Sequence, residues 1–178
     1  RNFYNGKSGV ELKGKKIGIH AYGNVGQNVG RVAKGFGMEV YAFDPFMTDE
    51  QIKAAGAIPL HSVEEMYGMC NYVSLHIPAT EKTKKSINYE LVNRMPKGAV
   101  LVNTARKEVI DEEGLLKLMA DRPDFKYISD IAPDNAAEYA PFEGRYFFTP
   151  KKMGAQTEEA NINAGLAAAR QIVAYLEH

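Results

Sequence analysis

The sequence predicts an α/β fold with a doubly wound parallel sheet, and two observations support this prediction. Short apolar segments of strand length alternate with segments of helical periodicity along the chain. This alternation is typical of crossover units, in which helices join parallel strands. In addition, a glycine-bearing turn at residues 21–26 lies between the first predicted strand and its helix. We therefore expect one sheet with helices on both faces.

The first half of the chain supplies four strands and three helices. The strands are predicted over residues 16–20, 39–43, 57–58 and 71–75. The helices are predicted over residues 25–36, over 48–55, and from residue 62 onward. Thr48 with Gln51, and Ser62 with Glu65, have the spacing of capping boxes, which indicates where the second and third helices begin.

The second half continues the alternation. Strands are predicted over residues 99–103, 126–129 and 146–148. Helices are predicted over residues 89–95, 111–119 and 157–176. The run Pro-Lys-Gly at 96–98 ends the first of these helices. The polar segments at 5–15 and 134–144 are interpreted as linkers.

The composition excludes several classes of partner and site. Lys plus Arg and Asp plus Glu both number 22, so the 178-residue chain has no net charge. Nucleic-acid and anionic-membrane partners normally require a basic excess, so neither is expected. The apolar runs are too short to span a membrane, no secretory leader is recognised, and no cluster has metal-ligand spacing. Cys70 is the single cysteine, which excludes an internal disulfide and favours a reducing cytoplasm.

The turn at residues 21–26, Ala-Tyr-Gly-Asn-Val-Gly, is a GxGxxG-type fingerprint with Ala21 in place of the first glycine. Gly23 is expected to let the backbone approach a pyrophosphate, and Gly26 to let the helix pack closely on the strand. The free N–H groups of the helix N-terminus attract the anion. Ala21 is tolerated at its position unless its φ must be positive.

Asp44 adds the acidic residue that such a site requires. It lies at the end of the second strand, 21 residues beyond Gly23. A carboxylate there accepts hydrogen bonds from the adenosine ribose and repels a 2′-phosphate. With no arginine at residues 45–47, the sequence predicts a Rossmann domain that binds NAD rather than NADP. A glycine-rich structural turn is the alternative.

Five further stretches stand in a characteristic order. They are Leu-His-Ile-Pro-Ala-Thr at 75–80, Gly-Ala-Val-Leu-Val-Asn-Thr-Ala-Arg at 98–106, Val-Ile-Asp-Glu at 109–112, Ser-Asp-Ile at 129–131, and Thr-Pro with Gly-Ala-Gln-Thr-Glu-Glu-Ala at 149–160. Over residues 12–160 the chain thus resembles the cofactor domain of the D-2-hydroxyacid dehydrogenases. Within that family it is most similar to the lysine-type, phosphoglycerate-oxidising subgroup.

The resemblance implies the main site residues. Arg106 is the implied catalytic residue, because a guanidinium can bind the substrate carboxylate in two hydrogen bonds and polarise its carbonyl. Together with the fingerprint, the implied cofactor-binding residues are Gly23, Asn24, Val25, Gly26, Asp44, His76, Pro78, Thr104, Ala105, Arg106 and Asp130. For His76 a structural hydrogen bond is an equal alternative, and His20 and His61 are interpreted as structural.

The sequence departs from the family where an acid–base histidine is usual. Counting from Thr-Pro at 149–150 selects Lys151, whereas counting back from Gly-Ala at 154–155 selects Lys152, which we prefer. Two solvated surface lysines are the alternative. The glutamate that normally orients the histidine falls near Asp134 and Asn135, and Lys107 stands where a glycine is usual. A lysine needs no partner to select a tautomer, so both losses are consistent with each other.

The resemblance implies NAD-dependent oxidation of D-3-phosphoglycerate on the route to serine, by a cytoplasmic homodimer. Glyoxylate, glycerate or D-lactate are alternative substrates. A non-catalytic NAD-sensing protein is an alternative of another class, which the missing histidine and glutamate favour. The retained Arg106 and the two lysines favour the enzyme.

The whole chain, 1–178, is expected to be a single NAD-binding domain isolated from its substrate domain. Its parts are a linker at 1–15, a core at 16–156, a helix at 157–175 and residues 176–178, which resemble the start of a purification tag. Because the chain begins with Arg1, both ends are expected to be artificial. We expect such a fragment to bind NAD but to turn over little substrate, since it has only half of the cleft.

Overall fold

Seven parallel strands form one sheet in the order β3-β2-β1-β4-β5-β6-β7. The computed structural model describes residues 9–152, 154 and 157–176. The strands are β1 Lys16–His20, β2 Glu39–Phe43, β3 Ile58–Pro59, β4 Tyr72–Leu75, β5 Val100–Asn103, β6 Lys126–Ser129 and β7 Tyr146–Phe148. The predicted α/β fold with a doubly wound parallel sheet is confirmed.

Within the described residues, six α-helices connect or follow these strands. They are α1 Asn24–Gly35, α2 Asp49–Ala54, α3 Val63–Met69, α4 Tyr89–Val92, α5 Glu112–Asp121 and α6 Glu158–Leu176. Two short 3₁₀ helices occupy Lys107–Val109 and Ala136–Phe142. Among the described residues, no helix combines the length and apolar character that crossing a bilayer requires.

The hydrophobic core lies in two clusters, one on each face of the sheet. Helices α1 and α2 contribute to one cluster, and α3, α4 and α5 contribute to the other. The smaller cluster packs Ile19 and Val40 of the sheet against α1 and α2. The larger cluster packs Leu101 against α3–α5, with Met66 and Leu115 fully buried. The sheet is therefore anchored from both sides beneath its carboxyl edge.

The face that carries α1 is open beyond the middle of the sheet. Val102, Ile128 and Phe147 are partners in the register of β5, β6 and β7. Ile128 is 39% exposed and Phe147 is 62% exposed. Because neighbouring side chains in register share a face, these residues form an apolar strip on the α1 side.

Three local expectations differ from the structure. The segment at 134–144 is not a plain linker, because its 3₁₀ helix buries Tyr139 against Tyr127, Tyr146 and Phe148. Helix α4 ends at Val92, and the chain continues in tighter turns, in which the N–H groups of Arg94 and Met95 each donate to the third carbonyl before them.

The capping box expected at Ser62 is only half formed. The Ser62 hydroxyl accepts from the Glu65 N–H at 3.1 Å. The Glu65 carboxylate, however, accepts from the N–H of His61 at 3.4 Å rather than from that of Ser62. At Thr48 both halves of the box are present, with Gln51 as the partner.

Candidate functional site

The register of the sheet brings the predicted site residues into one row. His20, Leu75, Asn103, Ser129 and Phe148 end their strands as successive partners in the register. Residues that directly follow parallel strands meet at the same edge of the sheet. In this chain those residues include Ala21, Asp44, His76, Thr104, Asp130 and Thr149. The order of the strands reverses between β1 and β4, which is where doubly wound folds bind ligands.

The first part of the site, the dinucleotide loop, comprises residues 21–26 together with Asp44. A Cβ added to Gly26 would lie 2.5 Å from the Ala21 carbonyl oxygen, so only glycine fits there. A Cβ added to Gly23 would meet no atom within 4 Å. Gly23 is thus free of packing constraints, and the lack of a side chain keeps its backbone open to a ligand.

The N-terminus of α1 fits an anionic group. Gly23 occupies the N-cap position, no side chain caps the helix, and its first turn has no acidic residue. Asn24 and Val25, in that turn, are exposed, and Val25 is 62% exposed. N–H groups at such a helix end, with the positive end of the helix dipole, favour a phosphate oxygen.

Asp44 has a structural role in addition to the predicted one. Its Oδ2 accepts from the Tyr22 N–H at 2.8 Å, and its Oδ1 accepts from the Phe46 N–H at 2.9 Å. Each carboxylate oxygen can accept more than one hydrogen bond, so both keep capacity for a ribose hydroxyl. The sequence showed no sign that this side chain also holds the loop before the helix.

Ala21 adopts the positive φ that the sequence analysis named as the unfavourable case. Its φ is 73°, and its N–H donates to the Phe43 carbonyl at 2.9 Å. A non-glycine residue in the left-handed region costs roughly 1–2 kcal/mol. The loop keeps its shape at position 21 despite the alanine, because the neighbouring backbone contacts fix it.

The second part of the site, the lysine corner, comprises residues 103–106 with Asp130 and Lys152. Asn103 is fully buried at the end of β5. Its Oδ1 accepts from the Ala105 N–H at 3.0 Å, and its Nδ2 donates to the Arg106 carbonyl at 3.3 Å. The buried amide thereby shapes the turn that presents the exposed Arg106. A polar residue at the end of a buried strand was the available signal for this role.

Lys152, rather than Lys151, reaches this corner. The Lys152 ammonium donates to the carbonyls of Thr104 and Ala105, the latter at 2.6 Å. It also lies 3.3 Å from Oδ2 of Asp130. Lys151 is exposed. The structure therefore brings one of the two candidate lysines beside the loop of Arg106.

Asp130 joins β6 to the same corner. Its N–H donates to the Asn103 carbonyl at 3.1 Å, and its carbonyl accepts from the Thr149 hydroxyl at 2.6 Å. Oδ1 of Asp130 is buried and has no hydrogen-bond partner among the described residues. A buried, unpartnered carboxylate oxygen fits a site that accepts a hydrogen-bond donor from a ligand.

His76 lies between the two parts of the site. Its Nε2 is 2.9 Å from the Ser74 hydroxyl. Burial, with a smaller contribution from the Lys152 charge, lowers the pKa of His76 to about 4. The imidazole is therefore neutral at pH 7. Pro78, the other residue expected in this loop, is exposed, and its carbonyl accepts from the Thr83 hydroxyl at 2.5 Å.

The residues near the expected glutamate position have other partners. The Asp134 carboxylate is 2.5 Å from the Lys107 ammonium. Asn135 donates to the Glu112 carbonyl at 3.2 Å, while its Oδ1 is buried without a partner in the described part of the chain. The polar contacts of Lys152 within the described residues are those with Thr104, Ala105 and Asp130.

The remaining two histidines with described surroundings have structural contacts. Nδ1 of His20 is 3.3 Å from the Tyr67 hydroxyl in the core. His61 is exposed and paired with Asp49 at 3.0 Å. His178 lies outside the described residues.

Comparison with known protein families gives a match over most of the chain. Residues 2–145 match the family described as "D-isomer specific 2-hydroxyacid dehydrogenase, NAD binding domain". Since this match covers more than half of the 178 residues, it shows the family.

Individual relatives agree with that family. The chain is 32% identical over 166 residues to the D-3-phosphoglycerate dehydrogenase of Methanocaldococcus jannaschii, which covers 92% of this chain and 32% of that protein. It is 37% identical over 107 residues to the hydroxypyruvate reductase of Thermotoga maritima, covering 60% of this chain and 34% of that protein.

A solved structure matches nearly the whole chain. The NAD⁺-bound 3-phosphoglycerate dehydrogenase of Entamoeba histolytica is 45% identical, with a TM-score of 0.86. The match covers 97% of this chain and 55% of that one. The chain thus spans about half the length of that protein, and about a third of the length of each of the two relatives above.

Proposed function

Since this chain belongs to the D-isomer-specific 2-hydroxyacid dehydrogenase family, whose NAD-binding domain it matches, we propose that the full-length protein oxidises D-3-phosphoglycerate with NAD. The observation that carries the choice of substrate is the 45% identity to the 3-phosphoglycerate dehydrogenase of Entamoeba histolytica over 97% of this chain. Oxidation of the C2 hydroxyl is the first step on a route from phosphoglycerate to serine.

The dinucleotide loop supplies the binding part of this proposal. The N–H groups at the start of α1 bind the pyrophosphate beside the open Gly23 backbone. The Asp44 carboxylate accepts the adenosine ribose hydroxyls and disfavours a 2′-phosphate, so the site selects NAD. Because Asp44 already accepts two backbone N–H groups, it is fixed in place before the ribose arrives.

The lysine corner supplies the chemical part. Arg106 binds the substrate carboxylate through its guanidinium and polarises the C2 oxygen. Bound NAD supplies the acceptor for the hydride that leaves C2. Neutral Lys152 accepts the hydroxyl proton as the C2–O double bond forms, and its ammonium returns that proton in the reverse reaction. The products are the 2-keto acid, NADH and protonated Lys152.

The proposal extends to a homodimer in the cytoplasm. The family resemblance supports the dimer. The single cysteine, Cys70, is buried and unpaired, which suits a reducing compartment. Light scattering coupled to size-exclusion chromatography of the full-length protein tests the dimer, and a monomeric mass would contradict it.

The first test is NADH formation by the full-length protein, followed at 340 nm. We expect D-3-phosphoglycerate to give a higher kcat/KM with NAD than D-glycerate or D-lactate. Glyoxylate, assayed with NADH in the opposite direction, completes the set. A preference for another acid would keep the dehydrogenase and overturn the substrate. Tight NADH binding without turnover of any acid would favour a non-catalytic NAD-sensing protein.

A further inference from the structure

We propose that Asp130 is the positioning residue of Lys152, and that this carboxylate takes the place of the partner that normally orients the family's histidine. The inference rests on the proposed function, because it concerns how the acid–base lysine is held. Asp130 follows β6, whereas Lys152 follows β7, so the sheet register brings the two together.

The contacts of the Lys152 ammonium support this role. An ammonium has three N–H donors. Three acceptors of the described chain surround it, namely the carbonyls of Thr104 and Ala105 and Oδ2 of Asp130. The two carbonyls belong to the turn that ends at Arg106, and they fix the direction of the lysine. Asp130 contributes the only formal negative charge among the three.

The surroundings of Asp130 restrict the movement of its backbone and side chain. Its side chain is 25% exposed, and that of Lys152 is 37% exposed. The Asp130 N–H donates to the Asn103 carbonyl and the Asp130 carbonyl accepts from the Thr149 hydroxyl, so the backbone is held from both sides. A carboxylate fixed in this way can hold the ammonium beside the turn that ends at Arg106, without moving with the loop of Lys152.

The residues at the usual glutamate position cannot substitute for Asp130. Asp134 is paired with Lys107 at 2.5 Å, and Asn135 donates to the Glu112 carbonyl. The Lys107–Asp134 pair provides a matched control, because it is a second lysine–aspartate pair that joins the residue after Arg106 to the segment after β6. It has no contact with the carbonyls of Thr104 and Ala105 among the described hydrogen bonds.

The first test measures the reactivity of Lys152 directly. The full-length protein, without substrate, is treated briefly with acetic anhydride at pH 8, and acetylation is read residue by residue with tandem mass spectrometry. The acetylation of Lys152 relative to the adjacent Lys151 is the measured quantity. Asp130→Asn should raise this ratio about two- to fivefold, in line with the loss of a partly exposed ion pair. Asp130→Glu, which keeps the charge, should restore most of the protection.

The control variant is Asp134→Asn, and it defines the result that would contradict the proposal. Asp134→Asn should raise the acetylation of Lys107 and leave the Lys152 to Lys151 ratio unchanged. The proposal is overturned if Asp130→Asn leaves that ratio unchanged, or if Asp134→Asn changes it as much as Asp130→Asn does.

The second test asks whether Asp130 acts through Lys152 during turnover. In the full-length enzyme, Asp130→Asn should lower kcat by at least about tenfold, a part of the roughly 10²–10⁴ that a placed acid–base group contributes. In a Lys152→Ala background the same change should lower kcat by a clearly smaller factor, because the residue it positions is gone and only its expected contact with the cofactor remains. Equal losses in both backgrounds would contradict the positioning role.

NADH affinity is measured by fluorescence for the wild type, Asp130→Asn, Lys152→Ala and the double variant. A loss of cofactor binding is then not counted as a loss of positioning. If Lys152→Ala alone leaves turnover unchanged, the proposed acid–base role of Lys152 fails. The acetylation ratio still decides whether Asp130 controls Lys152 in that case.

Discussion

In the dinucleotide loop, neighbouring backbone N–H groups and one carboxylate, that of Asp44, define the shape. In the lysine corner the side chains of Asn103 and Lys152 define it. Ala21 and Tyr22 donate their N–H groups to the Phe43 carbonyl and to Asp44. The corner instead depends on the Asn103 amide and on Lys152, which reaches back 47 residues to Ala105. Hydrogen bonds of the backbone do not depend on residue type, so the loop restricts its sequence mainly where a side chain would clash, as at Gly26. A corner built from side chains can instead exchange one proton carrier for another. This difference is consistent with a fingerprint that departs from the usual glycines only at Ala21, next to a lysine where the family usually has a histidine.

The comparison predicts that damage to the lysine corner reduces turnover more than binding. Lys152→Ala in the full-length enzyme should lower kcat about 10²–10⁴-fold, since it removes the proton acceptor. The dissociation constant of NADH should change little, because the dinucleotide loop is intact. Steady-state kinetics and NADH fluorescence measure the two quantities.

Lys151→Ala is the matched comparison for that experiment. Lys151 is exposed and adjacent in sequence, so its removal should cost less than about threefold in kcat if proton transfer depends on position. A larger loss for Lys151→Ala than for Lys152→Ala would reverse our assignment of the two lysines.

Substitutions in the dinucleotide loop should affect stability and NADH binding rather than proton transfer. We expect Gly26→Ala to affect mainly stability and Gly23→Ala to affect mainly NADH binding. Gly26→Ala places a Cβ 2.5 Å from the Ala21 carbonyl, and such overpacking should destabilise the fold by about 1–3 kcal/mol. Gly23→Ala meets no atom within 4 Å, so its stability should change by less than about 1 kcal/mol, the cost of alanine at an N-cap. The NADH dissociation constant of Gly23→Ala should nevertheless rise about tenfold, because the backbone no longer comes close to the pyrophosphate.

Urea unfolding and NADH titration of the same two variants check this separation. If Gly23→Ala destabilised the fold as much as Gly26→Ala, the loop would not divide into a packing glycine and a ligand glycine. If neither variant weakened NADH binding, the pyrophosphate would have to lie elsewhere.

The buried His20 at the end of β1 predicts a dependence of stability on pH. Burial, with a smaller effect of His76, lowers the pKa of His20 to about 4, although Asp44 acts in the opposite direction. The unfolded chain therefore takes up a proton near pH 6.5 that the folded chain refuses until about pH 4. Stability is complete above pH 6.5 and falls as the pH is lowered towards 4.

Between pH 7.5 and pH 5, protonation of His20 should lower the free energy of unfolding by about 2 kcal/mol, since one pKa unit corresponds to about 1.4 kcal/mol. Urea unfolding at the two pH values measures it in the wild type and in His20→Gln, which cannot titrate. The variant should lose about 2 kcal/mol less than the wild type over this interval. Equal losses would mean that His20 is protonated in the folded state well above pH 5.

The sequence was sufficient for the order of the strands and α-helices, but not for the two 3₁₀ helices. Strands β1, β2, β6 and β7 begin and end where expected, because apolar runs between polar breakers define them locally. The choice between Lys151 and Lys152 could not be made by counting, since it depends on a contact with a loop far away in the chain. Tyr139 was also missed, because it is buried by aromatic partners from β6 and β7 that its polar neighbours do not indicate.

The smallest expected effect on stability is that of Ala21→Gly, which can be compared with the same change at a position outside the dinucleotide loop. Two residues other than glycine have positive φ in the described chain, Ala21 at 73° and Lys85 at 51°. Replacing either by glycine removes roughly 1–2 kcal/mol of strain and costs about 0.5–1 kcal/mol of backbone entropy. Both Ala21→Gly and Lys85→Gly should therefore stabilise the fold by about 0.5–1 kcal/mol in urea unfolding.

The binding data then decide whether the loop is already in its ligand-bound shape. If Ala21 keeps the same φ with and without NADH, the relief of strain is equal in both states, and the dissociation constant should stay within about twofold of the wild type. Lys85→Gly, which is outside the dinucleotide loop, sets the baseline for that comparison. Tighter NADH binding by Ala21→Gly alone would show that the loop changes its backbone conformation when the dinucleotide binds, and that the alanine opposes this change.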